Sequence, residues 1–105
     1  MGENVLEELS RIIRVRREAA SEDSYTRQLI DGGIELCAKK LREEASETLI
    51  AALAEDDAAL TGEAADLLYH LLVMLEVRGV PLRDVLAELE SRMAQSGLAE
   101  KASRK

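Results

Sequence analysis

No phenylalanine and no tryptophan occur in this chain, and tyrosine occurs only twice. Without large aromatic rings, the core has to be assembled from Leu, Ile, Val, Ala and Met. Such a core is thin for 105 residues, so stability calls for a second copy of the chain. Cysteine occurs once, at Cys37, which excludes an internal disulfide and suits a reducing compartment. Positive charge is in deficit: the net charge is −7 and the pI near 4.8. That balance argues against nucleic acid and anionic membrane surfaces as partners. A small anionic substrate stays possible, because a bound cation inverts the local field. The N-terminus lacks a basic region followed by an apolar signal core, and Leu6 stands where a myristoylation pattern needs Ser or Thr. The longest apolar-rich run, Ala64 to Val77, reads as too short to span a bilayer and contains Asp66 and His70. The expected location is the cytoplasm. Gly-rich phosphate loops, CxxC pairs and Ser/His/Asp arrangements are also missing.

Nothing alternates with the period of two that a strand requires, and no repeat or low-complexity segment occurs. What is present is helical. Leu6, Leu9, Ile12 and Ile13 make the apolar stripe of a first helix, from about Asn4 to Ala20. Asn4 is its cap, and Arg11, Arg14, Arg16 and Arg17 crowd its later part. After a polar linker, Ser24 or Thr26 caps a short helix ending at Gly32-Gly33. Ile34, Cys37, Leu41, Ala45, Thr48, Leu49 and Ala52 stripe a long helix over about 34–54. Glu55-Asp56-Asp57 breaks it before another long helix over about 58–78, closed by Gly79. The second half of that helix is apolar nearly all round, which predicts burial on most sides. Pro81 fits the first turn of a last helix ending at Gly97, with a frayed tail from Leu98. The expectation is one all-α domain over 1–97, with four main helices and a short one.

The two long helices each carry an acidic turn. Glu43-Glu44-Ala45-Ser46-Glu47 lies in the first and Glu63-Ala64-Ala65-Asp66 in the second. Residues three apart share a helix face, so Glu44 pairs with Glu47 and Glu63 with Asp66. If the helices pack antiparallel, these carboxylates converge. Uncompensated, they repel, and burying one is costly. The plainer interpretation is two solvated faces. Against it, both turns sit on central helices, and Asp66 runs straight into Leu67-Leu68 at the edge of a buried surface. A di-iron bundle needs Glu-x-x-His turns, whereas the fourth positions here are Glu47 and Asp66. All-oxygen ligation favours Mg²⁺ or Mn²⁺. Lys39 and Lys40 are either solvated partners of Glu43 and Glu44 or a phosphate contact. Ser24-Tyr25-Thr26 reads as a cap with Tyr25 packed on the core, His70 as a hydrogen-bonded core or interface residue, and Cys37 as a buried apolar one.

Lys39-Lys40-Leu41-Arg42-Glu43-Glu44-Ala45-Ser46-Glu47, then Glu63-Ala64-Ala65-Asp66-Leu67-Leu68-Tyr69-His70-Leu71-Leu72, resembles the phosphoribosyl-ATP pyrophosphohydrolase family. That family is a branch of the MazG-like all-α nucleoside triphosphate pyrophosphohydrolases. The wider group shares an E-E-x-x-E turn followed by E-x-x-D. The Lys-Lys prefix, the Tyr-His run and Ser24-Tyr25-Thr26 narrow it to the histidine-pathway branch. The resemblance covers roughly residues 21–92; Arg42 departs from it, standing where a small residue is usual. It implies hydrolysis of phosphoribosyl-ATP to phosphoribosyl-AMP and pyrophosphate by a helical bundle completed by oligomerisation, as a dimer or tetramer. Mg²⁺, or Mn²⁺, would be held by Glu44, Glu47, Glu63 and Asp66. Glu43 or Glu47 would accept the water proton, and Lys40, Lys39 and Ser24 would hold phosphate. Two other functions are compatible with the acidic turns. One is a house-cleaning enzyme acting on a nucleotide such as dUTP or dCTP; the other is a non-catalytic dimeric helical adaptor.

Overall fold

In a computed structural model the chain is described over residues 5–18 and 24–95. Five helices account for nearly all of it: α1 Val5–Glu18, α2 Tyr25–Asp31, α3 Gly33–Ala54, α4 Asp57–Arg78 and α5 Leu82–Ala94. No strand occurs among the described residues, and the architecture is the all-α bundle of four main helices and a short one. The Asn4 cap, the first helix's expected end at Ala20, the linker before Ser24, Gly97 and the tail lie outside the described residues.

Local chemistry sets the boundaries. Ser24 caps α2, its Oγ accepting from the Arg27 N–H at 2.9 Å. Gly32 joins α2 to α3 directly, and Gly33 takes a positive φ of 81° there. The break after α3 is tighter than the sequence suggests. Glu55 ends α3, Asp56 caps α4 by accepting from Ala59 N–H, and Asp57 is already helical. Gly79 closes α4 at φ 80°, with its own N–H on the Glu76 carbonyl and Val80 N–H on the Leu75 carbonyl. Pro81 stands one position earlier than expected, as the residue before α5 with extended ψ of 142°, and does not enter the first turn.

A two-residue connection folds α3 and α4, each of 22 residues, back on one another as an antiparallel hairpin. Helices α1 and α2 pack across that hairpin. The core is small: Ile13, Leu29, Cys37, Leu72, Val73 and Leu82, with no aromatic residue among them. Arg14 and Arg17 of α1 both reach Glu76 of α4, which explains part of the arginine cluster by packing alone.

Two expected stripes need correction. In α3 the inward positions are Cys37 and Ala51, with Leu41, Glu44 and Thr48 half-buried between them. That is a 4-3-4-3 seam, whereas Ile34, Leu49 and Ala52 are exposed. In α4 only His70, Leu72 and Val73 are buried, and Leu68 is 44% exposed, so the all-round burial predicted for this helix is not met within one chain. The apolar run is also longer than its residues suggested. As one continuous helix, α4 is long and apolar enough to cross a membrane by length and composition. It is nonetheless a hairpin partner of α3 and brings Glu63, Asp66 and His70 to the facing side.

Candidate metal and phosphate site

The seam between α3 and α4 turns from apolar to acidic towards the hairpin tip. Glu44, Glu63 and Asp66 each offer an oxygen within 4.8 Å of the others, a spacing that suits a single cation. One carboxylate oxygen of Glu44 and one of Glu63 are buried without a hydrogen-bond partner. Buried carboxylate oxygens ordinarily find donors, so two orphans on clustered residues ask for a positive charge. Burial holds the Glu44 carboxyl above its ordinary value, helped by the charges of Glu47, Asp66 and Glu43 and opposed by His70. Glu63 is raised by burial too, then by the charge of Glu47 and a carboxyl–carboxyl hydrogen bond to it. These residues form a possible acidic metal-binding group.

Around this group the other predicted residues divide. Glu47 stands beside the group, against Glu63, and is exposed. Glu43 pairs with Lys40 at 3.6 Å, an i, i+3 contact in place of the i, i+4 pairs expected for the two lysines. Lys40 lies close enough to Tyr25 to act on its phenol, as do Glu43 and Glu44, so the lysine and the acidic turn border one region. Lys39 is exposed. The Ser24 hydroxyl has its acceptor role filled by the α2 cap.

Behind the carboxylates lies a polar network that joins α2 to α4. Tyr25 is 47% exposed, not packed into the core, and its hydroxyl sits 3.0 Å from His70 Nε2. His70 Nδ1 is 2.9 Å from the Asp66 carbonyl oxygen. A carbonyl only accepts, so Nδ1–H donates to it, and Nε2 is the ring nitrogen that meets the Tyr25 hydroxyl. Buried Thr26 bonds the Tyr69 hydroxyl, and Tyr25 stacks on Tyr69 with centroids 6.3 Å apart. Cys37 is buried, its thiol pushed up by burial and turned to the Leu29 carbonyl, so it is no nucleophile.

Sequence reasoning missed Thr48 as part of this region. Its hydroxyl lies 2.7 Å from the Glu44 carbonyl and 3.1 Å from the Glu63 carbonyl. The signal was available: a Thr four residues after Glu44, on the same inward seam. A separate cleft of about 400 Å³ lies between α1 and the start of α5, lined by Glu7, Ser10, Arg14, Leu82, Arg83 and Asp84 among others. None of the clustered carboxylates lines it, and its opposite charges offset one another.

Comparison with known proteins bears on the same segments. A family model described as phosphoribosyl-ATP pyrophosphohydrolase matches residues 6–93. The phosphoribosyl-ATP pyrophosphatase of Methylobacterium nodulans is 56% identical over 100 residues, covering 95% of this chain and 94% of the relative. That of Agrobacterium fabrum is 54% identical over 99 residues, covering 94% and 92%. The Sinorhizobium medicae protein of the same description is 50% identical over 104 residues, covering 99% and 97%.

Proposed function

The chain belongs to the phosphoribosyl-ATP pyrophosphohydrolase family, and on that footing we propose that it hydrolyses phosphoribosyl-ATP to phosphoribosyl-AMP and pyrophosphate, the second step of histidine biosynthesis. The observation that carries the chemistry is the pair of orphaned buried oxygens on Glu44 and Glu63, drawn together with Asp66 at the α3–α4 seam. Hydrolysis of a phosphoanhydride asks little covalent help of a protein. It asks for charge neutralisation and for water placed in line with the leaving group.

The donor set fits a hard divalent cation, Mg²⁺ or Mn²⁺: every candidate ligand is a carboxylate, and two of these residues each have a buried oxygen without a partner. Glu44, Glu63 and Asp66 would hold it, with Glu47 alongside. A bound cation supplies charge neutralisation at the phosphates and lowers the pKa of water. The chain's own residues do the rest. Water attacks between the α- and β-phosphates, the bridging bond breaks, and pyrophosphate leaves. Glu43 or Glu47 accepts the water proton; Glu43 is paired with Lys40 and Glu47 stands against Glu63. Lys40 exchanges that partner for a substrate phosphate, with Lys39 and Ser24 at the margin. A homo-oligomer, dimer or tetramer, is part of the proposal, since one chain leaves Leu49, Ile50 and Leu53 of α3 and Leu68 of α4 open. A cytoplasmic location suits a free, reduced Cys37 and a biosynthetic enzyme.

The test is pyrophosphate release with Mg²⁺ from phosphoribosyl-ATP, dUTP and dCTP side by side. Preference for phosphoribosyl-ATP is expected. Preference for a deoxynucleotide, or no release from folded protein, overturns the assignment.

A further inference from the structure

Glu44 and Glu63 lie on different helices, and like charges at their tips push those helices apart. Something must hold the seam at the spacing a cation needs. Thr48 is the side chain that touches both backbones: its one hydroxyl faces the Glu44 carbonyl at 2.7 Å and the Glu63 carbonyl at 3.1 Å. Both carbonyls only accept, so the hydroxyl proton is shared between them or alternates. A helical Thr bonding the carbonyl four residues back is ordinary. The second acceptor, across the hairpin and 15 residues away, is not part of that habit. Thr48 is half-buried, one turn beyond Glu44, and its hydroxyl lies within hydrogen-bond distance of a carbonyl oxygen on each helix. Asp66, the third member, has its carbonyl held separately, by His70 Nδ1.

Resting on the metal site proposed above, we infer that Thr48 is a positioning residue for it. Its hydroxyl fixes the α3–α4 separation at which Glu44, Glu63 and Asp66 meet one cation. Valine at this position keeps the shape and the β-branching but sets a methyl group against two carbonyl oxygens. Loss of such an outer partner typically weakens metal affinity about 10- to 100-fold.

The experiment measures the Mg²⁺ and Mn²⁺ dependence of both the melting temperature and pyrophosphate release, in wild type, T48V, T48A and T48S. In T48V the half-saturating metal concentration is expected to rise about 10-fold or more, while kcat at saturating metal stays within a few-fold. T48S restores the wild-type metal dependence, because it keeps the hydroxyl. T48A deletes the bridge without crowding the carbonyls and carries the same expectation should T48V fail to fold. Folded T48V or T48A that melts earlier yet keeps wild-type metal affinity overturns the inference and leaves Thr48 a packing residue. A wild-type protein indifferent to both metals overturns the metal site and this inference together; the two failures are therefore distinct.

Discussion

Two carboxylates raised by burial and then by the charge of Glu47 beside them give the residue scale a measurable sign. The folded-state pKa values of Glu44 and Glu63 lie above the ordinary value of 4.5. Between the ordinary value and the raised one, the folded state binds more protons than the unfolded state. Stability therefore falls as pH rises through that window, and the loss is complete above the folded pKa. The metal-free protein is accordingly expected to gain stability from these two groups as pH drops towards the ordinary value of 4.5. Glu44→Gln removes one charge, so the metal-free variant melts at or above wild type at neutral pH, and the gap closes on acidification. Thermal melts of both proteins across that range check this; a Glu44→Gln protein that melts well below wild type at neutral pH contradicts it. The same variant should lose its stabilisation by Mg²⁺. It should also lose activity on the order of 100-fold or more, since a metal's charge stabilisation is worth several kcal/mol.

At the scale of the element, caps decide more than propensity does. Gly79 ends α4 at φ 80° with open space where a side chain would project, so an added Cβ meets no neighbour and only the backbone objects. Gly79→Ala is expected to cost about 1 kcal/mol and several degrees of melting temperature, with metal affinity unchanged. Equal melting of the two proteins would refute the strain argument. Element boundaries were legible wherever a residue had one conformational use: Ser24 and Gly79 punctuate the chain as their chemistry predicts, and the acidic break before α4 does so over two residues where three were expected. Pro81 was not, because a fixed φ near −66° suits the cap position as well as the first turn. The acidic turns were legible as a pair of helix faces, but their depth was not. That Glu44 sits on the inward seam depends on how α3 is rotated against α4. Side-chain periodicity blurs that rotation when Leu49, Ile50 and Leu53 sit on the outer side. Thr48 was legible on the helix stripe but not as part of the site, for the same reason, since its second acceptor belongs to the other helix.

For the whole molecule the decisive quantity is the apolar surface left over. The radius of gyration is 16.2 Å, against about 13 Å for a compact domain of this length. Leu49, Ile50 and Leu53 on α3 and Leu68 on α4 are 64%, 53%, 87% and 44% exposed. A core of six small or branched residues cannot easily support that much open surface. A second copy covering the outer side of the hairpin would resolve the imbalance and would bring another chain up to helices that already carry the carboxylates. Folding then becomes concentration-dependent: tenfold dilution removes about 1.4 kcal/mol of association free energy. For a dimer of this size the melting temperature should fall by about 3–6 °C per tenfold dilution. Leu53→Glu separates the alternatives further. On a lone chain a residue this exposed tolerates charge within about 0.5 kcal/mol. Beneath a partner the same substitution costs several-fold more and shifts the species seen by light scattering towards monomer. A melting temperature independent of concentration, with a monomeric mass and an indifferent Leu53→Glu, would mean that the thin core stands alone and the active site is built from one chain.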